Sequence, residues 1–186
     1  MTDTAPARWK PERGPIKGKP PERLNDGQVL SDLRESDIGN GLVRADRPVR
    51  SITMKRIIVN GGYRVFENLA AQGQQDASID GLLIEDVKAS GLARGFARIQ
   101  YDSRHGIIRR VEASGVDPAP ALPCGIAFNG TAHDFSIEDC VMRDFRMRKA
   151  EDQYWNGDGY SSERGNYGLR FLRCSAFDCT DGGFDL

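Results

Sequence analysis

The sequence predicts an all-β fold: a right-handed parallel β-helix, or solenoid, with an irregular N-terminal arm and with its C-terminal coils lacking. Three observations point there. Short β-rich runs alternate with Gly, Asn, Asp and Ser from about Ser51 onward. No sustained 3.6-residue period marks a helix in that region. Four segments superpose as internal copies: GLLIEDVKASG (81–91), GIIRRVEASG (106–115), DFSIEDCVMRDF (134–145) and GLRFLRCSAFDC (168–179).

In register, Ile84, Ile108, Ile137 and Phe171 share one position, and Val87, Val111, Cys140 and Cys174 share another, three residues on. The step between copies lengthens from Val87 to Val111 to Cys140 to Cys174. A repeat of roughly 22–30 residues with a strand in each copy is what a parallel β-solenoid needs. A coil of that length carrying strands cannot bury its own apolar face. Stacking like residues on like residues, at the strand spacing of about 4.8 Å, buries it. An earlier, imperfect copy lies in ITMKRIIVNGG (52–62). The extra residues of later copies fall in two loops, 113–125 and 146–166. Gly91, Gly115 and Gly125 are expected where a coil turns. A β-sandwich would show hairpin turns every 8–12 residues or so, and a doubly wound fold would need amphipathic helices between strands. A leucine-rich repeat would need its Leu/Asn signature. The hand follows from the right-handedness of parallel crossovers.

Residues 1–50 read differently and form a first region, before coils at 51–186. They hold six of the nine prolines and one of the fifteen aromatic residues, Trp9, so they offer little to a core. Two readings stand for this arm: a flexible tail, or a segment packed on the body or on a partner, where it could cap the first coil. A short helix or cap is expected between Leu30 and Val43.

Composition excludes several functions. The formal net charge is −1, which lacks the basic excess of a nucleic-acid binder. No apolar run reaches the roughly 18 residues of a membrane span. The N-terminal stretch lacks the apolar segment of a secretory signal, so a cytoplasmic or virion-associated protein is expected as the chain stands, or a secreted one from which a signal has been removed. The cysteines Cys124, Cys140, Cys174 and Cys179 form no CxxC pair and have no histidine at metal spacing. They read as reduced, packed thiols, with Cys140 stacked above Cys174. His105 and His133 are expected at the surface or in turns.

One constellation could carry chemistry. Asp152, Asp158, Asp178, Asp181 and Asp185 concentrate near the C-terminus. Asp158 lies in NGDGY and the last two acids in TDGGFDL, about one coil apart. If adjacent coils bring these points together, oxygen ligands from two coils suit Ca²⁺. The competing reading is that Asp-Gly pairs simply form turns.

The segment NGDGYSSERGNYGLRFLRCSAFDCTDGGFDL (156–186) resembles polysaccharide lyase family 9, of the pectate-lyase-like β-helix enzymes, around its motif N-x-D-G-F…G-x-G-N-x-F-x-x-C-x-A-x-x-N-x-D-D-G-W-D-L. The close match is confined to that segment, and the general β-helix pattern extends it back to about Ser51. The resemblance implies calcium ligands at Asp158, Asp181 and Asp185. The second acid of the family's Asp pair falls on Gly182, and the preceding Asn is replaced by Cys179-Thr180. In the family a Lys beyond this motif removes the proton α to the uronate carboxylate, while the metal acidifies it. Here that base is not found, and Lys149, Arg164, Arg170 and Arg173 read as solvated cations.

The resemblance thus implies a β-helix of carbohydrate-active, polyuronate or pectate lyase-like ancestry that is not catalytically competent as this chain. The alternative is a non-catalytic carbohydrate-binding or assembly module of the phage tail-spike or adhesin type. The expected partners are an acidic polysaccharide and a further copy docked on the open C-terminal coil. Nucleic acid and membrane are not expected.

Overall fold

A computed structural model describes residues 20–116, 122–147 and 156–186. Among them there is no helix; fourteen strands form one sheet system. The strands are β1 (Glu22–Arg23), β2 (Val29–Ser31), β3 (Arg34–Ser36), β4 (Val43–Ala45) and β5 (Val49–Asn68). Then come β6 (Ile79–Ile99), β7 (Arg104–Gly115), β8 (Cys124–Phe128), β9 (His133–Glu138) and β10 (Val141–Arg143). The last are β11 (Asp158–Ser162), β12 (Arg170–Leu172), β13 (Ser175–Phe177) and β14 (Phe184–Asp185). The long strands β5, β6 and β7 bend through corners and so contribute to more than one face.

Every strand pair is parallel, and the pairs resolve into three faces. The first runs β2, β5, β6, β7, β9, β12. The second runs β3, β5, β6, β7, β10, β13. The third runs β1, β4, β5, β6, β8, β11, β14. This all-parallel arrangement is consistent with a β-helix solenoid.

The expected ladders are present. Met54, Ile84, Ile108, Ile137 and Phe171 pair in turn along the first face. On the second, Ile57 pairs with Val87 and Val87 with Val111. Cys140 and Cys174 continue that line, because Val141 pairs with Glu112 and with Ser175. The inward side chains form one buried cluster, in which Ile57, Ile84, Val87, Ile108, Ile137 and Cys140 are fully enclosed. Alternate residues point outward, so each short face shows the two-residue period of a strand.

Corners are set by backbone sign. Left-handed φ values recur at Gly27, Ser51, Gly81, His105, Asp134 and Gly168, and again five residues later at Asp32, Arg56, Asp86, Arg110, Asp139 and Arg173. A third column holds Asp37, Gly61, Gly91, Asp144 and Asp178. The strand registers align each column rung upon rung. Gly91 turns a corner as expected, with φ +65. Gly115 serves close approach instead: a Cβ there would stand 2.5 Å from the Asp144 carbonyl oxygen.

The arm expected over residues 1–50 differs in its described part. Residues 22–45 carry β1 to β4, all paired into the sheet, and the boundary expected at Ser51 runs through β5. Leu24, Leu30, Ile38, Val43 and Ala45 are buried there, and strands and turns replace the helix expected between Leu30 and Val43. The apolar residues needed for a coil are present, but in ones and twos among polar and charged residues. The remainder of the arm, residues 1–19, lies outside the described residues, as do Lys149, Asp152 and parts of both long loops.

Candidate functional site

The third face begins each strand at a column of chemically unlike residues. Arg64 pairs with Gly95, and Cys124 pairs with Asp158. Register extends the column to Gly41 before Arg64 and Gly182 after Asp158, since Val43 pairs with Phe66 and Tyr160 with Phe184. Gly95 and Cys124 join the two halves, because Ala97 pairs with Ile126. The glycines make room: a Cβ on Gly182 would stand 3.3 Å from Asp158 Oδ1. A Cβ on Gly95 would collide with the Cys124 carbonyl oxygen.

Asp158 is 1% exposed. Its Oδ2 lies 3.4 Å from Asn156 Nδ2, while Oδ1 and the Asn156 Oδ1 are buried without a hydrogen-bond partner among the described residues. Burial, then the charges of Asp181 and Asp185, push its carboxyl from the usual 3.8 to about 6. The structure therefore brings the three sequence-predicted acids into one electrostatic neighbourhood. It does not stack them on one rung: Asp158 meets Gly182, and Asp185 pairs with Ser161, three residues further along. Among the described residues no group of three or more His, Cys, Asp or Glu side chains is placed to hold a metal ion.

Cys124 is half-buried at the same corner, and burial, with the Asp158 charge behind it, pushes its thiol up to about 12. Cys140 and Cys174 stack as expected, with both thiols free. A hydrogen bond from Cys140 holds the Cys174 thiol low, and Cys140 itself is pushed up by that bond and by burial. Tyr160, fully buried, donates its hydroxyl to the Cys140 carbonyl at 2.8 Å.

The remaining sequence candidates take structural places. Arg173 grips Asp139 at 2.6 and 2.8 Å, and Asp178 pairs with Arg146 at 3.0 Å. His105 is exposed and meets Asp80 Oδ1 at 2.8 Å. His133 opens β9 beside the corner residue Asp134; it is 9% exposed, stacked on Tyr167 with ring centroids 4.4 Å apart, and its Nδ1 lies 2.8 Å from Asp134.

Sequence reading missed a charged cluster on this face. Arg64 is 5% exposed and Glu67 6% exposed. Arg64 Nη1 donates to Glu67 Oε2 at 2.7 Å, and Arg44 donates to the other oxygen, Oε1. The signal was the pair of glycines flanking Arg64 in its column, which leaves a guanidinium room that an ordinary neighbour would fill. Compared with protein-family models, with curated proteins and with solved structures, the chain matches none.

Proposed function

We propose that the chain is a right-handed parallel β-helix of carbohydrate-active, polyuronate-lyase-like descent, and that it binds an acidic polysaccharide along its third face without cleaving it. The observation that carries this is the Asp158 corner. Two enclosed acceptor oxygens, Asp158 Oδ1 and Asn156 Oδ1, meet no donor in bonding geometry among the described residues, and the charges of two further carboxylates act on Asp158. Acceptor oxygens without donors suit a hard cation. If calcium binds, Asp158, Asn156 and Asp181 would hold it. The ion would supply positive charge that a sugar carboxylate can share. Against cleavage, the described lysines, Lys55 and Lys88, stand on the first two faces, away from Asp158.

Calorimetry with polygalacturonate and with alginate, each with and without Ca²⁺, tests the reading, together with the absorbance of unsaturated products. Binding without product is expected. Product release would restore a lyase, and no binding of either polymer would end the proposal.

A second reading, assembly through the last coil, is favoured by exposed apolar residues there: Phe177 at 52%, Phe184 at 44% and Leu186 at 66%. Leu169, Phe171, Cys174 and Ala176 are only partly buried beneath them. Light scattering that shows a defined oligomer, lost in Phe184→Asp, would support it, and a monomer at all concentrations would remove it.

A further inference from the structure

We infer that Arg44, Arg64 and Glu67 form an oxyanion-binding site on the third face, in the column of Asp158 but three rungs before it. Two guanidiniums share one carboxylate, one on each of its oxygens. The trio therefore carries one uncompensated positive charge. Arg64 and Glu67 are enclosed, with side chains 6% and 7% exposed, while Arg44 remains 30% exposed and gives access from solvent.

The hydrogen bonds are incomplete in one sense only. The Nε–H groups of both Arg44 and Arg64 are buried and find no acceptor among the described residues. Glu67 takes one guanidinium N–H on each oxygen, and neither oxygen lies in bonding position for an Nε–H. What the site lacks is acceptor oxygens carrying negative charge. Carboxylate, sulfate and phosphate share that chemistry, since each offers two or more oxygens to an arginine edge. The Arg64 guanidinium lies over the Tyr63 ring, its carbon 5.5 Å from the centroid. Of the neighbouring positions, Arg23 stands beside Arg44 in register but is held by Asp46 at 3.1 Å, and Arg98, beside Glu67, donates to Asn129 Oδ1 at 2.8 Å.

The oxyanion site follows from these residues alone. Its assignment to the carboxylate of a uronate residue rests on the function proposed above, and the test separates the two. The full chain is titrated with sodium sulfate, with sodium phosphate and with a galacturonate oligomer at constant ionic strength, read by calorimetry. The variants are Arg64→Lys and Arg44→Lys, which keep the charge that Glu67 needs but lose the Nε–H edge. Arg56→Lys, on the corner between the other two faces, is the control.

Saturable binding of at least one anion is expected, weakened about tenfold or more in both site variants and unchanged in the control. Sulfate or phosphate binding without the galacturonate oligomer would support the site and remove its assignment to a sugar acid. Oligomer binding that is equal in wild type, Arg64→Lys and Arg44→Lys would overturn the site and leave the proposed function standing. No saturable binding of any of the three would overturn the site. Thermal unfolding of each variant without ligand checks the fold. If Arg64→Lys unfolds, Arg44→Lys, at the exposed edge, decides by the same criterion.

Discussion

Arg110 lies one rung beyond Asp86 and holds both oxygens of its carboxylate, at 2.6 and 3.0 Å, while both residues keep left-handed backbones, φ 51 and 55. The same geometry repeats in Arg56 on Asp32 and Arg173 on Asp139, so one corner alternates acid and base over six rungs. Arginine has no intrinsic preference for positive φ, which costs an ordinary residue about 1–2 kcal/mol. The ion pair, exposed on both sides, offsets only part of that cost.

Asp86 is the informative rung, because Arg56 precedes it and Arg110 follows. Asp86→Asn should lower the melting temperature at low salt and leave Arg110 with Glu85 as its remaining acid partner. The difference from wild type should shrink in about 1 M NaCl, where the Debye length falls to about 3 Å. Melting curves at the two salt concentrations check this. A deficit that is the same at both would show that hydrogen-bond shape, not charge, holds the corner.

Asp158 makes stability depend on pH in the opposite sense from the surface acids. Its folded value, about 6, lies above the usual 3.8, so the folded state holds the proton more tightly than the unfolded chain. The stabilisation is full below about pH 4 and is lost as pH rises through about 6, on the order of 3 kcal/mol in all. Asp32, lowered to about 2 by its hydrogen bond from Arg56, acts the other way: its contribution is present above 3.8 and is lost as pH falls toward 2. Asp158→Asn removes the first dependence and keeps the second. Denaturation in chelator-containing buffers from pH 4 to 8 should therefore show the variant gaining on wild type as pH rises. Parallel curves would mean that Asp158 ionises freely.

Thiol reactivity separates four cysteines that look alike in the sequence. Cys174 is half-buried and its thiol is held low by the hydrogen bond from Cys140, whereas burial raises Cys124 and Cys179. The thiolate is the form that reacts. Iodoacetamide at pH 7, followed by peptide mass mapping, should label Cys174 first. Cys140→Ala should slow that labelling by removing the donor. Labelling of Cys179 ahead of Cys174 would contradict the paired geometry.

The ladders were legible in the sequence because stacked coils place like on like: Ile84, Ile108 and Ile137 advertise their register by identity. The corner columns were not, since Arg56 and Arg110 occupy a conformation for which glycine is the usual signal. The first coil was hidden for a related reason. Leu30 and Ile38 are scattered among polar and charged residues, and the pairing of β2 and β3 with β5 reveals which side faces in. Asp158 and the two later acids were found, but the rung was not. Turn lengths set Tyr160 against Phe184, which puts Gly182, not Asp185, against Asp158. Arg64 and Glu67 escaped notice because charge at an enclosed position cannot be told from charge on a surface by composition.

Asn68 fixes the corner where the third face ends and the chain returns to the first. Its side-chain amide donates to the Ala77 carbonyl at 2.9 Å and the Gln100 carbonyl at 2.8 Å, with Ser103 Oγ at 3.0 Å. Its Oδ1 accepts from the Gln100 backbone N–H at 2.8 Å. Ser103 Oγ in turn accepts from the Ile79 N–H at 3.1 Å, so the start of β6 hangs on the same network. Asn68 and Ser103 are fully enclosed, which leaves no water to replace a lost partner. Asn68→Ala should cost about 2–4 kcal/mol, the sum of the lost bonds and of backbone groups left unpaired. Asn68→Asp should cost more, because a carboxylate would face the Ala77 and Gln100 carbonyls, and its deficit should grow as pH rises above about 4. Urea unfolding at constant m measures both. A loss below about 1 kcal/mol for Asn68→Ala would show that the turn at residues 69–78 is held by the strands on either side and not by this amide.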